Sequence, residues 1–315
     1  MSALKRLRQV YAEQSIGAFQ KAYEEVRKRD PLLYLPLRLI ERIYPIREFL
    51  AFAVRLDREI AASGLSAASR QFLEEIFPYW ECEIPKEAEA LLRSAPLILY
   101  GNHPSLLTPF FIAAHIDRPD WRCLSANYVD RLLPHFADYG FPVKIPIDQK
   151  WIEWRRGGLR RLLIFTLLSR LQRSLPHEAA KELNRRSLDA AIEHVCNGGS
   201  MLIAPDGGGK RLQKWHSGIG MLAQGVAQRS TAVPTYVVPF REENTTNPRV
   251  YAYLRRGPVA RLKRSLFYRR PIRVRFAEPM VLGDIVVPGE RVEQTVLRLR
   301  RRYKSAFDLL ATGRE

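Results

Sequence analysis

The stretch Ala95-Pro96-Leu97-Ile98-Leu99-Tyr100-Gly101-Asn102-His103-Pro104-Ser105 runs four apolar residues together and then breaks at Gly-Asn-His-Pro. An apolar run without polar alternation, closed by turn residues, reads as a strand covered on both faces that leads into a loop. That loop presents an imidazole at the strand's edge, and histidine is the side chain suited to proton transfer near neutral pH. A buried histidine satisfied by a backbone carbonyl carries the same local signature, so the motif leaves both readings open.

A second loop further along repeats the arrangement. Met201-Leu202-Ile203-Ala204-Pro205-Asp206-Gly207-Gly208-Gly209-Lys210-Arg211 is an apolar strand followed by a proline, a carboxylate, glycines and two cations. Glycines let backbone N–H groups approach a ligand, and adjacent Lys and Arg supply charge for an anion such as phosphate. The Gly-x-x-x-x-Gly-Lys spacing of a nucleotide loop is missing, which argues against ATP.

Working outward, strands are expected at 97–100, 143–147, 201–204, 235–240, 249–254 and 272–276, with helices at 179–196 and 218–228. Strands alternating with helices predict an α/β fold with a mixed central sheet flanked by helices. Before it, Leu4, Leu7, Tyr11, Ala18, Ala22 and Val26 recur at near-helical spacing, and Ile46, Phe49, Leu50, Ala53 and Ile60 form a second stripe. Cations occupy the other faces, so this segment fits either packing on the core or lying in a bilayer interface. Between Trp151 and Pro176 lies a basic, Leu-rich insertion that reads as one more helix.

The chain of 315 residues carries 51 Lys and Arg against 33 Asp and Glu, a formal charge of +18, which attracts acidic partners. No zinc finger, ribonucleoprotein motif or basic region with heptads accompanies that charge. Anionic membrane or phospholipid is therefore the expected partner, and nucleic acid is disfavoured. Cys82, Cys123 and Cys196 lie far apart without metal spacing, so no metal is expected. No run reaches the ~18 apolar residues of a spanning helix, and no secretory core opens the chain. These features predict a cytoplasmic protein, peripheral on the cytosolic face of the membrane.

Taken in order, the motifs resemble the phospholipid and glycerol-phosphate acyltransferase family related to bacterial 1-acylglycerol-3-phosphate acyltransferase. Asn102-His103-Pro104-Ser105 matches its first block, and Cys123 through Ile145-Pro146-Ile147-Asp148 its second. Pro205-Asp206-Gly207 resembles the third, followed by Lys214 to Ile219, Val237-Val238-Pro239 and a closing strand at 272–279. The resemblance implies a glycerol-phosphate acyltransferase-like α/β domain over 81–315, preceded by an amphipathic helical segment over 1–80. It also implies a fatty acyl transfer from acyl-CoA or acyl carrier protein to a hydroxyl on a lipid or phosphorylated acceptor, with no cofactor beyond the acyl donor.

By that resemblance His103 is the base, and Asn102, Ser105, Gln149, Lys150, Pro205, Asp206, Gly207, Lys210 and Arg211 line the substrate site. Three departures qualify it. The family's aspartate, five residues after the histidine, is Thr108; its second-block arginine falls at Gln149, beside Lys150; its third-block glutamate is Asp206. A hydroxyl at Thr108 can hold the ring's tautomer, but it cannot offset an imidazolium. Either another carboxylate reaches His103, or the enzyme is slow, or the chain is a silent lipid-binding protein on the same fold. A literal His-x-x-x-x-Asp does occur from His115 to Asp120, but it follows an apolar helix and no strand precedes it, which marks it as a decoy.

Overall fold

The structure, a computed structural model, describes residues 7, 9–10, 15–29, 35, 38, 41–42, 45–77, 79–126, 129, 133–144, 175–206, 215–229, 233–255 and 257–308. The chain divides into two interleaved compact units, 1–58 with 125–187 and 59–124 with 188–315. Sequence periodicity drew its boundary at 80; the compact units change over at 58, and again at 124 and 187.

In the smaller unit, α1 (Ile16–Arg29) buries Ile16, Ala22, Tyr23 and Val26, the stripe its spacing demands. Its polar side is tied down by Arg47 Nε donating to Glu24 at 2.7 Å and Tyr23 Oη donating to Glu41 at 2.9 Å. Helix α2 (Ile46–Ser63) buries Leu50, Ala53, Leu56 and Ile60. Asp57 on α2 takes both the backbone N–H and the Nδ1 of His135, each at 2.9 Å.

The larger unit opens with α3 (Leu65–Ile76), then β1 (Trp80–Glu83), α4 (Lys86–Ser94) and β2 (Leu97–Gly101). Helix α5 (Thr108–Ala113) packs on α3 through an aromatic cluster in which Phe111 faces Phe77 at 5.3 Å and Phe72 at 6.5 Å. Strands β3 (Trp121–Ala126), β4 (Gly140–Val143), β5 (Ser200–Ile203), β6 (Tyr236–Glu243), β7 (Ile272–Phe276) and β8 (Met280–Val281) follow, β4 in the smaller unit. Helix α6 (His177–Cys196) precedes β5, and α7 (Gly218–Gln228) follows it. After β6 come α8 (Asn247–Leu254) and α9 (Pro258–Phe267); α10 (Val292–Ala306) follows β8.

In the larger unit the strands are ordered β1-β7-β6-β2-β5-β3, and β8 pairs with the start of β6. Pairing is parallel except for β7 and β8 on β6, so the sheet is mixed. Every residue of β2 and β5 is buried, as continuous apolar runs require in a doubly covered sheet. On the Tyr100 side, α10 supplies the cover: Tyr100 Oη donates to the Leu299 carbonyl at 3.3 Å and its ring meets Tyr303 at 6.3 Å. The chain leaves β2 for β3 on one side and later crosses back from β5 to β6 on the other. The carboxyl end of β2 is therefore a topological switch point, where open α/β sheets leave a crevice for ligands.

The expected strands at 97–100, 201–204 and 272–276 are present to within a residue, and the helix at 218–228 is present at both ends. The strand expected at 235–240 runs on to Glu243, which matters below. Of the strand expected at 143–147, only Val143 lies in β4, and 145–147 fall outside the described residues, as does 151–174 of the Leu-rich insertion. The segment 249–254 is corrected from strand to helix α8. Val250, Ala252 and Leu254 are all buried and so imitate a strand's period of two, but Pro248 in the first turn pre-sets a helical start.

Candidate active site

Gly101 ends β2 at a point where no other residue fits. A Cβ there would lie 2.1 Å from the Phe240 carbonyl oxygen of β6. This close approach lets Asn102 prolong the ladder with its side chain: Nδ2 donates to the Glu242 carbonyl and Oδ1 accepts from the Glu242 N–H, both at 2.8 Å. The His103 loop is thus stitched to β6. Beyond it, Ser105 organises the turn into α5, its carbonyl accepting from the Thr108 hydroxyl at 3.0 Å and the Thr108 N–H at 3.2 Å. Asn247, in the first turn of α8, accepts from the Leu106 N–H at 2.9 Å.

The pairing registers show which segments leave the neighbouring strands on either side of the His103 loop. Leu97 pairs with Ser200 and with Tyr236, and the two parallel registers run unbroken to Tyr100 and to Gly101 respectively. Counted on along the chain, the same offsets set Glu242 of β6, and Asp206 in the turn after β5, opposite His103 in sequence. The half-buried imidazole has a buried Nδ1 without a hydrogen-bond partner. Burial pushes its pKa down to about 4, because the cation loses hydration it cannot replace. The ring is therefore neutral at pH 7, the state a general base needs.

Thr108 does not orient that ring. Its hydroxyl donates to the Ser105 carbonyl, and its neighbour on the other side is the carboxyl of Glu242. Glu242 is 2% exposed and lies between the Thr108 and Thr245 hydroxyls, close enough for both to favour its anion. Neither contact is a well-aligned hydrogen bond: both carboxyl oxygens and the Thr245 hydroxyl are left without a formal partner. Burial, the largest effect, drives the Glu242 pKa up to about 8, against the smaller stabilisation by the two hydroxyls. Among the described residues this places a buried carboxyl beside the position where the resemblance expects an aspartate.

On the Asp206 side, Pro205 and buried Asp206 follow β5, and the Pro205 carbonyl accepts from the His216 N–H at 2.8 Å, pinning the chain where it returns. Tyr303 of α10 has a buried hydroxyl without an aligned hydrogen-bond partner; burial, the largest effect, raises its pKa, and the nearby Arg241 and Asn102 backbone act in the opposite direction. Trp215 packs edge-on against Tyr100 at 5.8 Å and Tyr303 at 5.6 Å, forming an aromatic floor.

Of the residues singled out in the sequence, His103, Asn102, Ser105, Thr108, Pro205 and Asp206 gather at this edge of the sheet. Gln149, Lys150, Gly207, Lys210 and Arg211 lie outside the described residues. Glu242, Thr245, Asn247 and Tyr303 were not singled out. The signal for Glu242 was present: in Tyr236-Val237-Val238-Pro239-Phe240-Arg241-Glu242-Glu243, strand alternation from buried Phe240 turns Glu242 inward.

His115 and Asp120, the literal pattern, have other occupations. The His115 ring lies on Trp80 at 4.9 Å, and burial first, then Arg70, lowers its pKa to about 4. Burial alone would raise the Asp120 carboxyl, but Arg118 more than offsets this through its Nε at 2.7 Å and its Nη2. Arg118 also donates to the Ala95 and Gly198 carbonyls, which makes the group a structural clamp.

No family model matches the chain, and no curated protein sequence does. Among solved structures, the 1-acyl-sn-glycerophosphate (LPA) acyltransferase of Thermotoga maritima is similar, with a TM-score of 0.36 and 14% identity over 87% of this chain and 93% of that one.

Proposed function

We propose that the protein is an O-acyltransferase that moves a fatty acyl group from a thioester, acyl-CoA or acyl carrier protein, to a hydroxyl of a lipid or phosphorylated acceptor. The observation that carries this reading is the neutral imidazole of His103, held at the switch point of the sheet between the segments that carry Asp206 and Glu242. The acceptor oxygen attacks the thioester carbonyl as His103 takes its proton; the tetrahedral adduct then expels the thiolate, which His103 reprotonates. One C–O bond forms, one C–S bond breaks, and the proton passes from alcohol to thiol.

Glu242 is the positioning residue of this proposal. Its carboxyl, next to Thr108, is protonated at pH 7, and as it ionises toward pH 8 it is proposed to supply the negative charge that a hydroxyl lacks when the imidazolium develops. Asp206, with Lys210 and Arg211 after it, is proposed to face the acceptor, together with Asn102, Ser105, Pro205, Gly207, Gln149 and Lys150. No helix among the described residues is long and apolar enough to cross a membrane. We place the protein on an anionic membrane surface, on its cytosolic side, as a peripheral enzyme of lipid synthesis.

Incubation of the purified chain with acyl-CoA or acyl carrier protein and a panel of lipid and glycerol-phosphate acceptors, read by mass spectrometry, tests the reading. An acylated product from the wild-type chain is expected. Lack of product with every acceptor and both donors would overturn it.

A further inference from the structure

Helix α9 is mounted inside out. Val259, Leu262 and Leu266 recur at three- and four-residue spacing and so share one face, and they are 78%, 59% and 55% exposed, with Phe267 at 72%. The opposite face is the one held by the fold. Ala260 is buried, and Arg264 Nη1 donates to the carbonyls of Ala252, Tyr253 and Arg255 at 3.2, 3.4 and 2.9 Å, at the end of α8. A surface helix ordinarily buries its apolar stripe and leaves its cations in water; here the cation anchors and the aliphatic side chains project.

The charged residues of α9 and of the turn after it are all cations. Arg261, Lys263, Arg269 and Arg270 are exposed around the stripe, and no Asp or Glu occurs from 244 to 277, a stretch holding ten Lys and Arg. We propose that α9 and the turn after it form a docking face for an anionic lipid bilayer, with Val259, Leu262, Leu266 and Phe267 entering the acyl boundary and the cations at headgroup level. A nucleic acid offers no apolar phase for four protruding side chains, and a second copy carrying +18 repels this face. Helix α1, also basic, turns Ile16, Ala22, Tyr23 and Val26 of its apolar stripe into the fold. The inference stands on the surface of α9 alone and holds whether or not the chain transfers acyl groups.

The test uses the full chain with vesicles of phosphatidylcholine alone and of phosphatidylcholine mixed with phosphatidylglycerol. Wild-type protein should sediment with the mixed vesicles and release with salt. Leu262→Ser with Leu266→Ser should weaken that binding roughly tenfold or more, and Arg261→Gln with Lys263→Gln by about tenfold. Because other parts of the chain can also meet lipid, Phe267→Trp provides a direct probe. Its added fluorescence should be quenched by bromine-labelled acyl chains. Binding without that quenching, leucine variants that bind like wild type, or a self-associated species that these variants dissolve would each overturn the proposal. His103→Ala should leave every vesicle result unchanged, which separates failure of docking from failure of acyl transfer.

Discussion

His103 and His115 flank the same short helix, are both driven by burial to a pKa of about 4, and differ in what surrounds them. His103 follows a buried strand in the middle of the sheet, with its loop laced to β6 by Asn102 and a carboxyl beside Thr108. His115 follows a helix, rests on Trp80, and owns the correctly spaced aspartate, yet Arg118 has taken that aspartate. The comparison teaches that a spacing rule stands in for a geometry. On the proposed reading, a carboxyl from another strand replaces the spacing at His103, whereas at His115 the spacing is kept and its aspartate is held by Arg118.

The sharpest way to break the comparison is to remove each ring. His103→Ala should lower acyl transfer by about a thousandfold, within the range for loss of a general base, and His115→Ala by less than about tenfold. Equal losses, or the reverse order, would exchange the roles of the two histidines.

A second, smaller effect concerns Glu242. Its unfolded pKa is near 4.5 and its folded value about 8, so between these the unfolded chain has released a proton that the folded chain keeps. Stability therefore falls as pH rises through that window, by up to about 1 kcal/mol per pH unit. Glu242→Gln removes that dependence. The variant should gain on wild type in denaturant titrations stepped from pH 5 to pH 8, and the histidine contributions, which run in the opposite direction, cancel in the difference. Parallel curves would mean the carboxyl is not buried as described.

The smallest effect belongs to the literal pattern. Asp120→Asn weakens a partly exposed partner of Arg118 but leaves its two carbonyl contacts, so it should cost about 1–2 kcal/mol of unfolding free energy. Acyl transfer per folded molecule should not change. Loss of turnover without loss of stability would return Asp120 to the active site.

Strands β2, β5, β6 and β7 were legible because they announce themselves locally, whereas β1, β3 and β8 were not expected. Leu97 to Tyr100 are apolar without alternation and end at Gly-Asn-His-Pro, and α7 starts and stops where its sequence says. Helix α8 was misread because three buried residues at alternate positions mimic a strand, while the feature that decides it, Pro248, acts on only one turn. Glu242 was missed for a different reason. Strand alternation sets it inward where Glu243 is not, but its significance is relational, set by the pairing of β2 on β6 and by Thr108 beside it. The outward stripe of α9 has the same periodicity as an inward one; only the anchoring of Arg264 says which face is free.

The central claim, that the carboxyl expected at position 108 is provided by Glu242, is tested most directly by moving it back. Turnover should be followed from pH 6 to pH 9 in wild type, Thr108→Asp, Glu242→Gln and the double variant. The account predicts that wild-type turnover rises through an inflection near pH 8 as Glu242 ionises, and that Glu242→Gln lacks this rise and falls tenfold or more behind wild type by pH 9. It predicts a loss also in Thr108→Asp, where two buried acids must share a proton, and recovery in the double variant to well above Glu242→Gln alone. Glu242→Gln with wild-type turnover at pH 9, or Thr108→Asp that is faster than wild type while Glu242 is present, would contradict it.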